Sequence, residues 1–189
     1  MSGKLVDVTP TTRAPRSDGR RNRDALVAAG RTIFARLGTD APMEEVAREA
    51  GVGRGTLYRH FPTREHLFAA ILHERAEELR ERADELLQAR DIGTALDEWL
   101  GLYHRNAAEY RGMHLGLADE ASPVARACEP MKERFAELYG RARQEGIVRS
   151  DLEPAQVLAL ISALPPTPAT GETRSAYLDV VLAGLRASQ

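Results

Sequence analysis

Side chains suited to binding phosphates and base edges are concentrated between residues 54 and 64. This segment contains Arg54, Thr56, Tyr58, Arg59, His60 and Arg64. Arginine can donate two hydrogen bonds to the O6 and N7 atoms of guanine, whereas hydroxyl, imidazole and further guanidinium groups suit phosphate and sugar oxygens. Arg54 and Arg59 are the candidate base readers, and Gly55 would allow the backbone to approach DNA closely. The pattern predicts binding to duplex DNA.

A second basic group lies nearer the N-terminus. Arg20, Arg21 and Arg23 precede the first predicted helix, where they could follow the DNA backbone or minor groove. Residues 1–64 carry 12 Lys and Arg against 7 Asp and Glu, although the whole chain has a net charge of -2. A basic N-terminal part on an acidic remainder favours a polyanionic partner that meets one end of the molecule, although such an imbalance is also typical of an ordinary solvated surface.

Other kinds of chemistry find little support in the residue spacing. His73-Glu74 lacks the second histidine of a zinc-protease motif, and no glycine-rich phosphate loop or nucleophile motif occurs. We therefore expect no catalytic residues, no metal and no cofactor. The single cysteine, Cys128, cannot form an internal disulfide, and no segment resembles a signal peptide or membrane span. We expect a cytoplasmic protein without membrane association.

The elements that must position these side chains are helices. Apolar spacing predicts helices near residues 23–37, 42–50, 54–59, 63–88, 94–110, 112–120, 123–145, 154–164 and 173–187. Pro42 would occupy a first helical position, Gly51 a tight turn, and Thr63 an N-cap. Pro130 should kink or divide its helix, and residues 165–171 should form a loop.

The chain is predicted to be all-α, with three segments. Residues 1–20 form a flexible basic arm, 21–64 a three-helix DNA-binding head with a helix-turn-helix, and 65–189 a helical regulatory and dimerisation domain. The helix that begins near residue 63 is long enough, at 1.5 Å per residue, to connect the head to the body.

The segment from Gly38 to Leu67 resembles the TetR family of transcriptional regulators. The resemblance rests on Val46-Ala47, Ala50-Gly51-Val52, Thr56-Leu57-Tyr58, His60-Phe61, Arg64 and Leu67. Pro42-Met43 replaces the threonine pair usual before the second helix. The resemblance implies a homodimer that binds a pseudo-palindromic double-stranded operator.

Aromatic and polar residues of the middle helices predict a pocket for a small-molecule effector. Its predicted lining is Trp99, Tyr103, His104, Met113, His114, Leu117, Glu120 and Phe135. Trp99 and Tyr103 lie four residues apart, so they share one helix face. An ordinary helical core has the same pattern, and both interpretations remain open.

The last two helices carry apolar residues at spacings of three and four. The predicted dimerisation residues are Leu158, Ile161, Leu178, Val181, Leu182 and Leu185. In a dimer of the family these helices would form a four-helix bundle with their copies, and the alternative is that they cover only their own subunit. The function predicted is a repressor released by a small molecule. Its rivals are a helix-turn-helix regulator without a ligand, controlled by a partner or acting as an activator, and a small helical enzyme.

Overall fold

The fold is built from α-helices throughout the part of the chain that the structure describes. A computed structural model describes residues 15–109, 121–166 and 175–187. Within these ranges the helices are α1 (Pro15–Leu37), α2 (Met43–Glu49), α3 (Arg54–His60), α4 (Arg64–Leu86), α5 (Ile92–Glu109), α6 (Pro123–Gln144), α7 (Pro154–Ala163) and α8 (Ala176–Leu185). The predicted all-α class is confirmed. None of these helices is long and apolar enough to cross a membrane.

The head consists of α1, α2, α3 and the first two turns of α4, packed around one apolar cluster. Its members include Leu26, Ile33, Phe34, Met43, Val46, Leu57, Phe61, Leu67, Phe68 and Ile71. The rings of Phe34 and Phe68 lie 4.5 Å apart between centroids. A Cβ atom at Gly30 would come within 2.9 Å of the Ile71 Cδ1 atom, so glycine lets α1 and α4 approach closely.

The long helix α4 belongs to both halves of the molecule. It begins after Thr63, whose hydroxyl accepts a hydrogen bond from the His66 N–H, as predicted for an N-cap. Its 23 residues extend about 35 Å at 1.5 Å per residue. Leu67 and Ile71 are buried in the head cluster, whereas Leu79 and Ala83 are buried in the body cluster. The predicted connection between head and body is confirmed by this division of its contacts.

The body packs α5, α6, α7 and α8 against the second half of α4. Its centre is a series of stacked aromatic rings. The Trp99 ring lies between the rings of Phe135 and Tyr103, with distances between ring centroids of 4.6 and 5.5 Å. Phe135 also contacts Tyr139 at 5.8 Å. The Trp99 Nε1–H donates to the Leu79 carbonyl oxygen at 2.9 Å, so the polar atom of the buried indole is satisfied.

The C-terminal end of α8 returns to the segment that follows α6. The Arg149 N–H donates to the Leu185 carbonyl at 2.9 Å, and the Ala187 N–H donates to the Ile147 carbonyl at 3.1 Å. The Arg186 guanidinium forms an ion pair with Asp97 of α5 at 2.7 Å. These contacts attach the last helix to its own subunit.

Two N-terminal predictions need correction. α1 begins at Pro15 rather than near Arg23, so residues 15–20 of the predicted flexible arm are helical in the structure. Proline is tolerated at a first helical position, and Asp18 pairs with Arg21 one turn later, which favours this early start. Pro42 is the N-cap of α2 and not its first helical residue, with φ -59° and ψ 136°. Residues 1–14 lie outside the described part.

Two further differences concern the body. Pro130 does not divide α6, which continues as one helix from Pro123 to Gln144. Pro130 is exposed, so the carbonyl freed by its missing N–H can face water. α8 is shorter than predicted because Ser175 caps its start and Arg186 is already extended. The predicted helix over 112–120 and residues 167–171 of the predicted loop lie outside the described residues.

Candidate nucleic-acid interface

The helix-turn-helix is formed by α2, a glycine turn and α3. Gly51 has φ +66°, the left-handed conformation that glycine adopts without strain, as the sequence predicted. The turn is closed by hydrogen bonds from the Gly51 N–H to the Arg48 carbonyl and from the Val52 N–H to the Ala47 carbonyl, at 3.2 and 3.0 Å. This turn sets the angle at which α3 leaves α2.

Helix α3 divides into one buried anchor and an exposed surface. Leu57 is completely buried in the head cluster. Four residues predicted to contact DNA, Arg54, Gly55, Tyr58 and Arg59, are exposed, and Thr56 and His60 are half-buried. A seven-residue helix held by one leucine therefore presents guanidinium, phenol and hydroxyl groups to solvent. This is the distribution that a recognition helix in a major groove requires.

Helices α2 and α3 are linked by a side-chain cluster that the sequence analysis did not identify. The Arg54 Nη2 and Glu44 Oε1 atoms lie 3.3 Å apart. The Tyr58 hydroxyl donates to the same Glu44 oxygen at 3.4 Å. The Arg54 Cζ atom lies 5.5 Å from the centroid of the Tyr58 ring. In sequence, Glu44 looks like an ordinary acidic residue of a first helical turn, because only the fold brings it to α3.

The other arginines predicted to contact DNA lie on α1 and at the start of α4. Arg64 is the first residue of α4, and its guanidinium donates to the Thr39 carbonyl in the loop between α1 and α2. Arg20, Arg21 and Arg23 are exposed on the first half of α1. Arg23 also lies over the Phe61 ring, with its Cζ atom 5.6 Å from the centroid. A guanidinium carries five N–H donors, so the contacts of Arg23 and Arg64 within the head do not prevent either residue from also contacting a phosphate.

Comparison with known proteins identifies the family. A family model described as "Transcriptional regulator SbtR-like, C-terminal domain" matches residues 91–187, just over half of the chain. A second, described as "Bacterial regulatory proteins, tetR family", matches residues 26–71, which include the helix-turn-helix. The chain belongs to the TetR family of transcriptional regulators.

Similarity to individual proteins extends over most of the chain. The chain is 32% identical to a TetR transcription regulatory protein from Mycobacterium vanbaalenii, covering 92% of this chain and 100% of that one, with a TM-score of 0.57. It is 31% identical to the TetR regulator SCO0520 from Streptomyces coelicolor, with coverages of 88% and 99% and a TM-score of 0.54. It is also 23% identical over 152 residues to YfiR of Bacillus subtilis, an uncharacterized HTH-type transcriptional regulator, with coverages of 72% and 71%.

In this TetR-family protein the residues predicted to line an effector pocket are packed in the body core, as far as they are described. Trp99 and Phe135 are completely buried, and Tyr103 and His104 are nearly so. The His104 Nε2 atom lies 2.9 Å from the Pro165 carbonyl oxygen. Burial raises the pKa of the Tyr103 hydroxyl far above its usual value. Met113, His114, Leu117 and Glu120 lie outside the described residues.

The TetR-family body also has an open groove between α6 and α7 that the sequence did not suggest. It has a volume of about 720 Å³. Its walls are Arg126, Glu129, Lys132, Glu133, Ala136, Glu153, Pro154, Ala155 and Leu158. Of the predicted ligand-binding residues that the structure describes, Trp99, Tyr103, His104 and Phe135, none belongs to this lining.

The predicted dimerisation residues lie on the inner faces of α7 and α8. Leu158, Ile161, Leu178, Leu182 and Leu185 are buried in their own subunit, and Val181 is half-buried against the same cluster. The outer faces instead present Leu160, Tyr177 and Val180, of which Val180 is 73% exposed. Because both faces of these helices carry apolar residues, helical spacing alone does not select between them, and the dimerisation residues remain a prediction.

Proposed function

We propose that this TetR-family regulator binds a pseudo-palindromic DNA operator as a homodimer and represses transcription until a small molecule releases it. The observation that carries the proposal is the division of α3 into a buried Leu57 and the exposed Arg54, Tyr58 and Arg59. A helix held in this way can enter the major groove without disturbing the head core. Two copies would read two half-sites of the operator.

The DNA contacts divide by chemistry. Arg54 and Arg59 read base edges, since a guanidinium can bind guanine O6 and N7 together. Thr56, His60 and Arg64 contact phosphates, the Tyr58 ring contacts the neighbouring sugars, and Gly55 allows close approach of the backbone. Arg20, Arg21 and Arg23 follow the adjoining backbone or minor groove. The exposure of Arg54, Arg59 and the α1 arginines supports these roles.

The dimer forms through the outer faces of α7 and α8. Leu160 on α7 and Tyr177 and Val180 on α8 are large apolar side chains that one subunit leaves exposed. Contact between two copies would remove this apolar surface from water, at about 25 cal/mol per Å² buried. The same surface on both subunits gives the two-fold symmetry that a pseudo-palindromic operator requires.

Release by an effector would pass from body to head along α4 and α6. Val124 in the first turn of α6 is buried within the head cluster, so a shift of α6 changes head packing. Arg31 of α1 also pairs with Glu74 of α4. A 100-fold loss of operator affinity requires about 2.7 kcal/mol of difference in effector binding between the two states.

A regulator without an effector is the second candidate. The closed contacts around Trp99, which stacks against two rings and donates to the Leu79 carbonyl, favour it. Trp99 is the only tryptophan, so its emission reports on this place alone. An effector that shifts the emission and releases DNA over the same concentration range would support the first function. If a broad metabolite screen changes neither the Trp99 emission nor DNA binding, the regulator without an effector should replace the effector-released repressor.

Selection of binding sites from a genomic library, followed by titration at several salt concentrations, tests DNA recognition. We expect a two-fold-related motif and an affinity that falls linearly with salt on logarithmic axes. Arg54→Ala should cost about 1–3 kcal/mol and remove the preference at one position per half-site. Arg149→Ala, which changes an exposed arginine of the body paired with Asp151, is the matched control and should leave the motif intact. A selection that enriches no motif would contradict the proposal.

Paired substitutions on α8 test the dimer. Val180→Asp puts a charge on the exposed outer face and should give folded monomers by light scattering. Leu182→Asp, two residues away, buries an unpaired carboxylate in the subunit core and should unfold the body instead. A folded, dimeric Val180→Asp variant would place the interface elsewhere.

A further inference from the structure

We infer that Glu44 is a specificity-determining residue of the DNA site, because it orients Arg54 and makes binding to the wrong sequence less favourable. The inference rests on the proposed DNA-binding function and deepens it. Glu44 belongs to α2, whereas the base reader it contacts belongs to α3. The sequence spacing of ten residues does not suggest the contact, which the turn at Gly51 creates.

The first step is orientation. One Glu44 oxygen lies 3.3 Å from the Arg54 Nη2 atom and accepts the Tyr58 hydroxyl at 3.4 Å, while the Arg54 guanidinium lies over the Tyr58 ring. Each contact is weak by itself, because all three side chains are substantially exposed. Together the three contacts link Glu44, Arg54 and Tyr58 in a triangle, which restricts the orientation of the Arg54 guanidinium. The pair with Glu44 occupies at most one of the five N–H donors of Arg54, so four remain, of which two can bind guanine O6 and N7.

The second step is charge. Phosphates repel a carboxylate at this surface whatever the DNA sequence is, so Glu44 weakens binding to every duplex. The Glu44 side chain is 49% exposed, which leaves it close to any DNA that contacts Arg54. Only a site that gives Arg54 its two hydrogen bonds offsets this repulsion. Specific recognition of this kind combines an attractive contact to the right partner with a repulsive one to the others.

The neighbouring residue provides a matched control. Glu45 lies next to Glu44 on α2 and has the same charge, but its carboxylate pairs with Arg48 of the same helix. Glu45→Gln therefore changes the charge of the head by the same amount and leaves the triangle intact. Glu44→Asp keeps the charge but shortens the side chain by one methylene, which separates orientation from repulsion.

The experiment measures the affinity of each full-length variant for two duplexes of equal length by fluorescence anisotropy. One duplex is the site selected by the wild-type protein, and the other is an unrelated sequence. Glu44→Gln should bind the unrelated duplex several-fold more tightly, while its ratio of specific to non-specific affinity falls about tenfold. Glu45→Gln should tighten both duplexes alike and keep the ratio. Glu44→Asp should keep the weak non-specific affinity but lose base preference.

A selection with the variants completes the test. Glu44→Gln should lose preference at the position that Arg54→Ala also affects, and adding Glu44→Gln to Arg54→Ala should change that position no further. If wild type and Glu44→Gln had equal ratios of specific to non-specific affinity and equal motifs, the role of Glu44 would be overturned, but the proposed DNA-binding function would not. The same loss of ratio in Glu45→Gln would show a general charge effect and overturn it as well. If the wild-type protein enriched no motif, the proposed function would fail first.

Discussion

The head exposes its distinctive side chains to solvent, whereas the body buries its own in the core. In the head, Arg54, Tyr58 and Arg59 face solvent, and the buried cluster beneath them is largely aliphatic. In the body, Trp99, Tyr103 and His104 face inward and are enclosed by protein. The chemistry of the head is therefore available to a large partner, whereas that of the body is available only to a molecule that enters the core.

This difference explains why the two halves respond to change in different ways. A substitution on the outer surface of α3 should alter recognition and leave packing intact, because only Leu57 anchors that helix. A substitution in the aromatic run of the body changes several contacts at once, since Phe135 touches both Trp99 and Tyr139. The connection between the halves is α4, which contributes to both clusters.

The largest expected effect is the loss of Phe135 from the body core. Phe135→Ala leaves a cavity beside Trp99 and should lower the free energy of unfolding by about 3–5 kcal/mol. Urea unfolding followed by Trp99 emission measures it, and the native emission should shift to longer wavelength. Phe34→Ala, an equal truncation in the head, is the control and should leave the native emission unchanged. A loss below about 1 kcal/mol for Phe135→Ala would contradict the tight packing of this region.

Burial of Cys128 should make its thiol unreactive in the folded protein. Burial raises the pKa of the Cys128 thiol to about 11, so only about one molecule in a thousand carries the thiolate at pH 8. Alkylation at pH 8 should be slow in the native state and fast in urea. The pKa of the Cys128 thiol is higher in the folded than in the unfolded state. Its contribution to the free energy of unfolding is therefore complete below the unfolded pKa near 8.5 and is lost as the pH rises through the folded pKa of about 11. Cys128→Ala should reduce this alkaline loss, and rapid native alkylation would show that the site opens.

The glycine turn of the head should give a smaller effect. Gly51→Ala puts a Cβ atom on a residue with φ +66° and should cost about 1–2 kcal/mol. Gly55→Ala lies inside α3, where nothing is within 4 Å of the new Cβ, and should stabilise the head by up to about 1 kcal/mol. Thermal unfolding by circular dichroism compares the two. Equal effects of the same sign would contradict the role assigned to the turn.

The smallest expected effect concerns the ion pair between head and body. Arg31 and Glu74 pair across α1 and α4, and both side chains are partly exposed. A double-mutant cycle with Arg31→Gln and Glu74→Gln should give a coupling of about 0.2–1 kcal/mol that shrinks as salt is added. A coupling that salt does not reduce would mean that the two halves are joined more rigidly than their exposure suggests.

The sequence predicted the turn of the head and the starts of two of its helices. The turn at Gly51, the start of α3 at Arg54 and the cap at Thr63 all depend on residues close together in the chain, and all are observed. The dimerisation prediction depended on choosing one face of α7 and α8. Both helices are apolar on several sides, so spacing did not distinguish the buried Leu182 from the exposed Val180.

Local sequence determined the helices, their caps and the helix-turn-helix, because a cap, a left-handed glycine or an apolar stripe acts over a few residues. The tertiary structure alone decided which apolar faces are buried, how closely the rings enclose Trp99, and that Glu44 reaches Arg54. These outcomes depend on contacts between helices that are distant in the chain or joined by a turn. Their geometry follows from packing, since each helix can bury a face only where another element covers it.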